Sequence, residues 1–277
     1  MGSRVINICW FCFKWGAIAC VIAAALLVPY FYHRIDDEIR CRIEQLLARQ
    51  YPGLQVKIRS AVLMKGEGIS VRGLSVVDPA AEGPCAELLT YDECFIACPT
   101  DLADLLGGEP RPTRVVLRRP TLRMTRRSDG TWSASRLLPL PRLSNGAMPE
   151  IRVENGTIEI FDPTRTPACS HTLREVNLTL SPIPTPDGQP ETTRRRHIQG
   201  TATGDYFRQI TFDGDLDVDR PTVDLSGKVE GMEISPEMRN MLPDVQGCDL
   251  SLLGSLRGET EAQFHVNYDP AASPRWR

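Results

Sequence analysis

Four aspartates at alternate positions are the first residues of this sequence whose type and spacing could do chemistry, because neighbouring carboxylates bind hard cations. They are Asp213, Asp215, Asp217 and Asp219. A calcium loop, however, also needs a tight glycine turn and a bidentate glutamate. Since alternate residues of a β-strand point to one face of a sheet, the spacing favours a solvated outer face over a metal site.

Cysteines offer redox or zinc chemistry at two places. Cys9 and Cys12 have redox spacing, but they adjoin an apolar run rather than a strand–helix–strand unit, and we interpret them as membrane-interface cysteines. Cys94 and Cys98 have no second pair at zinc spacing, and the chain contains only 4 histidines. An oxidising compartment would allow disulfides, with the pairing left open, among Cys41, Cys85, Cys94, Cys98, Cys169 and Cys248.

Motifs of catalysis are missing from the sequence. It contains no nucleophile elbow, phosphate-binding loop or helix with paired histidines. The net charge of -3 and the aromatic content of 6% give no sign of nucleic-acid binding. We therefore predict a protein that is not an enzyme, that uses no metal or other cofactor, and that binds no nucleic acid.

Clustered arginines could bind anionic groups. They occur as the pairs Arg118-Arg119 and Arg126-Arg127 and as the triplet Arg194–Arg196. Near an anionic membrane surface each such cation contributes about 1 kcal/mol to binding. Away from a membrane each is ordinary surface charge, which is the favoured interpretation for any one of them taken singly.

Alternating residues between 210 and 230 predict the strands that position these groups. Ile210, Phe212, Leu216 and Val218 fall on one parity and the aspartates on the other, and the pattern resumes after a turn at Arg220-Pro221. Such a sheet is apolar on one face and acidic on the other. Similar patterns predict strands around 56–58, 69–74, 91–97, 115–117, 122–125 and 260–268.

The uncharged run from Trp15 to Tyr32 is the second strong signal. About 20 apolar residues span a bilayer, so residues 15–32 are predicted to form a transmembrane helix behind a short stub, 1–14. The Lys and Arg residues that flank the helix do not decide its orientation. A cleaved signal peptide is the alternative, but its apolar core is shorter and ends in small residues. Helical spacing of apolar residues then predicts an amphipathic helix over 33–52.

The dipeptide Asn155-Gly156 is typical of a two-residue type I′ turn, which predicts a hairpin at 151–160. The implied register places Val153 opposite Ile158, Ile151 opposite Ile160, and Arg152 opposite Glu159. A helix before residue 52, followed by about ten strands with little further helix, predicts a mainly β protein with an antiparallel sheet.

The order of apolar run, amphipathic helix and the motif VRGLSVVDP at 71–79 resembles the AsmA-like family of bacterial envelope proteins, which is related to TamB-type and bridge-like lipid carriers. The segment SDGTW at 128–132, followed by Leu137-Leu138, is similar to a turn of that family. Further similarities are Arg119-Pro120-Thr121-Leu122, the short helical turn at 101–106 that ends before Gly107, and a strand-then-helix element at 227–243. The resemblance covers most of residues 5–245.

That resemblance implies a single-pass protein of the bacterial inner membrane, with the short stub 1–14 in the cytoplasm and the bulk of the chain in the periplasm. It implies a long twisted antiparallel sheet over 53–268 that forms an open groove, with a few short helices and a C-terminal tail over 269–277. The apolar face of the groove would bind phospholipid or another acyl lipid in support of outer-membrane biogenesis or homeostasis. The residues predicted to face lipid are Ile151, Val153, Ile158, Ile160, Ile210, Phe212, Leu216, Val218, Val223, Leu225, Phe264 and Val266.

Two functions stay open on the sequence alone. The first is a lipid-binding or lipid-transfer groove. The second is a structural envelope protein with a self-covered core, which binds a partner chain through its last sheet edge. About ten strands spaced by roughly 4.8 Å give a sheet about as long as one bilayer is thick, which is short for a bridge across an envelope. An open apolar trough favours the first function and a closed sandwich the second.

Overall fold

The computed structural model of the chain describes residues 34, 36–64, 66–81, 83–98, 112–137, 149–164, 168–183, 195–217, 222–235 and 257–269. The predicted stub 1–14, the transmembrane helix 15–32, the turn at 101–106, the helical part of 227–243 and nearly all of the tail lie outside the described residues. Within the described ranges, no helix combines the length and the apolar content needed to cross a bilayer.

Strands dominate the described chain, which confirms the prediction of a mainly β fold. A helix over 36–50 comes first, within the predicted 33–52. The strands are β1 (Gln55–Met64), β2 (Gly68–Val77), β3 (Glu87–Ala97), β4 (Arg114–Arg118), β5 (Thr121–Thr125), β6 (Glu150–Asp162), β7 (Cys169–Pro182), β8 (Arg195–Gly204), β9 (Phe207–Asp217), β10 (Thr222–Ile234) and β11 (Gly258–Tyr268). Short 3-10 turns lie at Gly83–Ala86 and Ser133–Leu137.

All eleven strands belong to one sheet, in the order β1-β2-β3-β4-β6-β7-β8-β9-β10-β11, with β5 placed beside β3 and β6. The prediction of an antiparallel sheet is wrong at one point, because β6 runs parallel to both β4 and β5. A parallel pair needs a connection of about a dozen residues or more, and the chain between β5 and β6 supplies it. Alternation of side chains is the same in both kinds of pair, so the sequence pattern could not distinguish them.

The predicted hairpin at 151–160 is also wrong, because Glu150–Asp162 is one continuous strand. The partners on β7 are Leu180 for Ile151, Thr179 for Arg152, Leu178 for Val153, Leu173 for Ile158, Thr172 for Glu159 and His171 for Ile160. A type I′ turn needs positive φ at both central residues, whereas of these two only Asn155 has it, at 53°. Asn155 instead forms a bulge, and its amide N–H donates to Asn177 Oδ1 at 3.0 Å.

Asn155 belongs to a line of left-handed residues that crosses the sheet. Gly73 on β2, Arg119 between β4 and β5, Asn155 on β6 and Glu175 on β7 have φ values of 64°, 50°, 53° and 51°. We name this line the crease. Each irregularity changes which parity points inward, so that residues before and after it reach the same core. On β2 these core residues are Ile69, Val71, Leu74 and Val76.

The main buried core lies between the helix over 36–50 and the first four strands. Ile39, Ile43 and Leu47 recur every four residues on the helix and pack on this core. On the strand side, Val71 is 1% exposed and Leu88 is 0% exposed. A fully buried aliphatic side chain contributes about 1.5–3 kcal/mol, so this end of the sheet is the best stabilised part of the described chain.

Candidate functional site on the apolar face

Cross-strand register brings apolar residues of ten strands into two continuous rows. The first row is Leu63, Ile69, Ile96, Val115, Ile151, Leu180, Ile198, Gly214, Leu225 and Val266. The second row is Ala61, Val71, Cys94, Leu117, Val153, Leu178, Gly200, Phe212, Gly227 and Phe264. Each member of one row lies two residues from a member of the other, so both rows are on one face. We name it the apolar face.

The helix covers only one end of the apolar face. Over β1 to β4, row members such as Ala61, Ile69 and Val115 are 2%, 7% and 6% exposed. From β6 to β11 the row members are only partly buried, apart from Leu180. All of the described strands belong to the same sheet. Among the described elements, the helix therefore covers the apolar face at the β1 end, and along β6 to β11 most row members remain only partly buried.

Most residues that the sequence predicted to face lipid lie in or beside these rows. Ile151, Leu225 and Val266 belong to the first row, and Val153, Phe212 and Phe264 to the second. The remaining ones that the structure describes lie farther along the same strands and are Ile158, Ile160, Ile210, Leu216 and Val223. All of them are partly buried, and Val218 lies outside the described residues. Sequence reasoning missed Leu178, Leu180 and Ile198, because β7 and β8 were not recognised as strands.

Phenylalanine rings cover glycines of neighbouring strands on this face. Phe212 pairs with Gly200, and Phe264 pairs with Gly227. A Cβ added to Gly200 would lie 2.6 Å from Phe212 Cζ, so the ring occupies the space of the missing side chain. Phe264 stands in the same relation to Gly227. Glycine on one strand and phenylalanine on the next together make a continuous apolar surface.

The aspartate row lies on the opposite, outer face and is partnered by basic groups. His197 Nε2 lies 3.1 Å from Asp213 Oδ2, and His197 Nδ1 lies 3.3 Å from Asp215 Oδ1. Arg195 Nη2 lies 3.9 Å from Asp215 Oδ2. Asp219 lies outside the described residues. Among the residues that are described, no three acidic, histidine or cysteine side chains are grouped closely enough to hold a metal ion.

Elsewhere the outer face alternates in charge, so the expected acidic face is limited to β9 and β10. Arg72, Glu93, Arg118 and Glu154 follow one another across β2, β3, β4 and β6. Arg118 lies 2.8 Å from Glu93 and 3.4 Å from Glu154, and its hydrogen bond holds the pKa of Glu93 below its usual range. Such exposed pairs are screened by water and contribute little to stability, so they define a wet surface more than they stabilise it.

The two edges of the sheet differ. On β1, the Ile58 N–H donates to Glu44 Oε1 at 2.8 Å and the Leu63 N–H donates to Asp36 Oδ1 at 3.3 Å. These acidic side chains of the helix occupy amides that another strand would need. On β11, no described strand pairs along the side away from β10. An edge without a neighbouring strand is a template for another strand, and among the described strands β11 forms such an edge.

The arginine clusters also separate into two kinds. Ion pairs join Arg118 to Glu93 and Glu154, Arg119 to Asp92, Arg126 to Asp162, Arg127 to Asp78, and Arg195 to Asp215. Arg194 lies outside the described residues. Arg196 is different, because it is only 4% exposed and donates to the carbonyl oxygen of Pro149 at 3.0 Å.

Cys41, Cys85, Cys94 and Cys98 are free thiols. Cys94 and Cys98 are 4% and 6% exposed. Burial raises the pKa of the Cys94 thiol to about 12, so this thiol stays protonated and unreactive at neutral pH. Cys94 therefore serves as a small apolar member of the second row. Cys9, Cys12 and Cys248 lie outside the described residues.

Comparison with known proteins adds no relative: no protein-family model matches the chain, and no curated protein matches it. The geometry of the apolar face is therefore the basis on which a function can be proposed.

Proposed function

We propose that the protein is a membrane-anchored, lipid-binding or lipid-transfer protein of the bacterial cell envelope. The observation that carries the proposal is the pair of uncharged rows, which cross ten strands and are covered by the helix only at the β1 end. Large contiguous apolar surfaces on proteins usually bind a partner or a ligand. An acyl chain suits this surface because it has no polar group to satisfy along its length.

The dimensions of the apolar face support the same proposal. Ten strands spaced by roughly 4.8 Å give a path of about 45 Å. One acyl chain spans about half of the roughly 30 Å hydrocarbon core of a bilayer. The path is therefore long enough for more than one lipid, and the part along β6 to β11 alone accommodates one.

We place the protein in the inner membrane, anchored by residues 15–32, with the sheet in the periplasm, where it would support outer-membrane biogenesis or homeostasis. The resemblance of 71–79 and 128–132 to AsmA-like proteins supports this placement. A periplasm-dependent reporter enzyme fused after the last residue tests it, since activity is expected only if the C-terminal side is translocated. Activity of a cytoplasm-dependent reporter at the same position would contradict it.

Photo-crosslinking on the full-length protein tests lipid binding. p-Benzoylphenylalanine in place of Leu225, on the apolar face of β10, should form adducts with phospholipid that mass spectrometry identifies. The same probe in place of Ser226, the next residue on β10, points to the outer face and is the matched control. Equal labelling at both positions, or none at position 225, would contradict the proposal.

A structural role through the β11 edge is the second candidate, favoured by the contrast between the two edges. Such a protein would carry a partner chain instead of lipid. Native mass spectrometry of the purified full-length protein would then show a protein complex without lipid adducts. In that case Leu225→Asp would leave the complex intact, whereas lipid adducts that disappear in Leu225→Asp support the groove.

A further inference from the structure

Arg196 places a guanidinium on the apolar face at the end of β8. Register sets it opposite Leu216 of β9. Ile198, two residues along β8, belongs to the first apolar row, so Arg196 shares its face. The two residues that flank Arg196 have the opposite orientation: Arg195 and His197 lie near Asp215 on the outer face. Arg196 is thus a cation at the margin of a surface that otherwise suits acyl chains.

The charge of Arg196 has no carboxylate partner in the described part of the chain. Its only described hydrogen bond runs from Nη1 to the Pro149 carbonyl oxygen, at 3.0 Å. Loss of hydration on burial lowers the pKa of Arg196, which means that the surroundings do not compensate its charge. The buried acid Asp78, by contrast, pairs with Arg127 and Arg136. A buried cation without a counter-ion is unfavourable, so the site is suited to an anion.

The chemistry of the guanidinium indicates which anion fits. Arginine presents five N–H donors in a planar fork that matches two oxygens of a phosphate, and the bond to Pro149 uses only one of them. Leu216 is the cross-strand partner of Arg196, and Ile198 is its next neighbour on the same face of β8. We infer, on the basis of the proposed lipid-binding function, that Arg196 binds the phosphate of a phospholipid whose acyl chains lie along the apolar rows.

A free phosphate ion shares the charge but not the rest of this arrangement. It would leave the apolar rows beside Arg196 in contact with water, whereas a phospholipid covers them and neutralises the cation at once. A lipid without phosphate has the reverse defect, because it would cover the rows and leave Arg196 without a counter-ion. Ligands of these three kinds therefore separate the contribution of the charge from that of the apolar face.

The experiment uses the full-length protein in a mild detergent, with bound ligand measured by native mass spectrometry. The probes are phosphatidylglycerol, diacylglycerol with the same acyl chains, and inorganic phosphate. The variants are Arg196→Gln, Arg196→Lys and, as matched control, Arg195→Gln on the outer face. Hydrogen bonds to a charged group make a tenfold or larger difference in affinity. We expect Arg196→Gln to lower the affinity for phosphatidylglycerol about tenfold and to leave the affinity for diacylglycerol unchanged.

The remaining variants and probes distinguish a failure of the inference about Arg196 from a failure of the proposed lipid-binding function. Arg195→Gln should behave as the wild type, and Arg196→Lys should fall between the wild type and Arg196→Gln because it keeps the charge without the fork. Wild-type protein that retains diacylglycerol and phosphatidylglycerol equally overturns the inference, and this comparison needs no variant to fold. So does a phospholipid preference that is unchanged in Arg196→Gln. Tight binding of inorganic phosphate alone, or no binding of either lipid, contradicts the proposed function itself.

Discussion

Asp78 Oδ2 lies 3.2 Å from Arg127 Nη2, and this contact joins the end of β2 to the turn that follows β5, 49 residues farther along the chain. Arg136, in the 3-10 turn Ser133–Leu137, pairs with the same carboxylate. Asp78 is 2% exposed. It lies within the motif at 71–79, and Arg127 directly precedes the motif at 128–132. The segments 71–79 and 128–132 are therefore brought together at one buried carboxylate.

Replacing Asp78 with asparagine should destabilise the protein by about 1.5–3 kcal/mol, because the buried carboxylate that Arg127 and Arg136 share loses its charge. Chemical denaturation of the full-length chain measures the effect. Asp92→Asn is the matched control, since Asp92 pairs with Arg119 at 3.0 Å but its side chain is 62% exposed. A loss of stability as large in Asp92→Asn as in Asp78→Asn would show that burial of the pair is unimportant.

Asp78 should also make stability depend on pH in the acid range. Burial alone would raise the pKa of Asp78, but the hydrogen bond from Arg136 and the charge of Arg127 outweigh it and leave the pKa lowered. The folded state therefore binds fewer protons than the unfolded state around an unfolded pKa of about 4. The contribution of Asp78 to the free energy of unfolding is fully present above that pH and is lost as the pH falls below it. Denaturation between pH 6 and pH 3 should show a shallower decline in Asp78→Asn; an identical decline in both proteins would exclude this role.

Gly200→Ala should destabilise the sheet by about 1–3 kcal/mol, the usual cost of forcing extra volume into a packed site. Its new Cβ would lie 2.6 Å from both Phe212 Cζ and the Asn177 carbonyl oxygen, so either the ring or the strand must move. Gly258→Ala, at the start of β11, is the control, because a Cβ there meets nothing within 4 Å. Thermal unfolding of the two variants should differ clearly. Equal melting temperatures would mean that Phe212 is not held over Gly200.

Glu44→Ala should expose the β1 edge. The Ile58 N–H would lose its acceptor, at a cost of about 1–3 kcal/mol if no other group replaces it, and strand addition at β1 would become easier. We expect reduced stability in urea together with concentration-dependent self-association in sedimentation velocity. Glu38→Ala, at an exposed position of the same helix, should change neither. Self-association that rises to the same degree in Glu38→Ala would point to net charge instead of the edge.

Alternation was sufficient to predict most strands, because a half-buried strand must place every second residue inward. The antiparallel pair of β9 and β10 has the parity expected from the sequence, with Leu216 opposite Val223, whereas the predicted turn at Arg220-Pro221 lies outside the described residues. The sequence did not predict β8, because Arg196, His197 and several small residues interrupt its apolar pattern. The structure explains these residues: Gly200 lies under the ring of Phe212, and Arg196 lies on the apolar face.

The error at Asn155-Gly156 has a simple physical cause. A hairpin turn and a bulge with one left-handed residue both reverse the parity of the residues that follow, so both place Val153 and Ile158 on the apolar face. Local sequence cannot separate them, because the difference lies in whether the chain reverses direction. Only the pairing of β6 with β4 on one side and β7 on the other decides it. Long-range pairing likewise set the parallel register of β6.

The contrast between Glu44 at one edge and the open side of β11 limits how copies of this chain could combine. An open-ended filament would require β11 of one molecule to pair with β1 of the next, and the helix carboxylates obstruct that junction. Two β11 strands can still pair with each other about a two-fold axis, which uses up both open edges. Assembly through the described edges therefore ends at two molecules, with their apolar faces joined into one surface of doubled length.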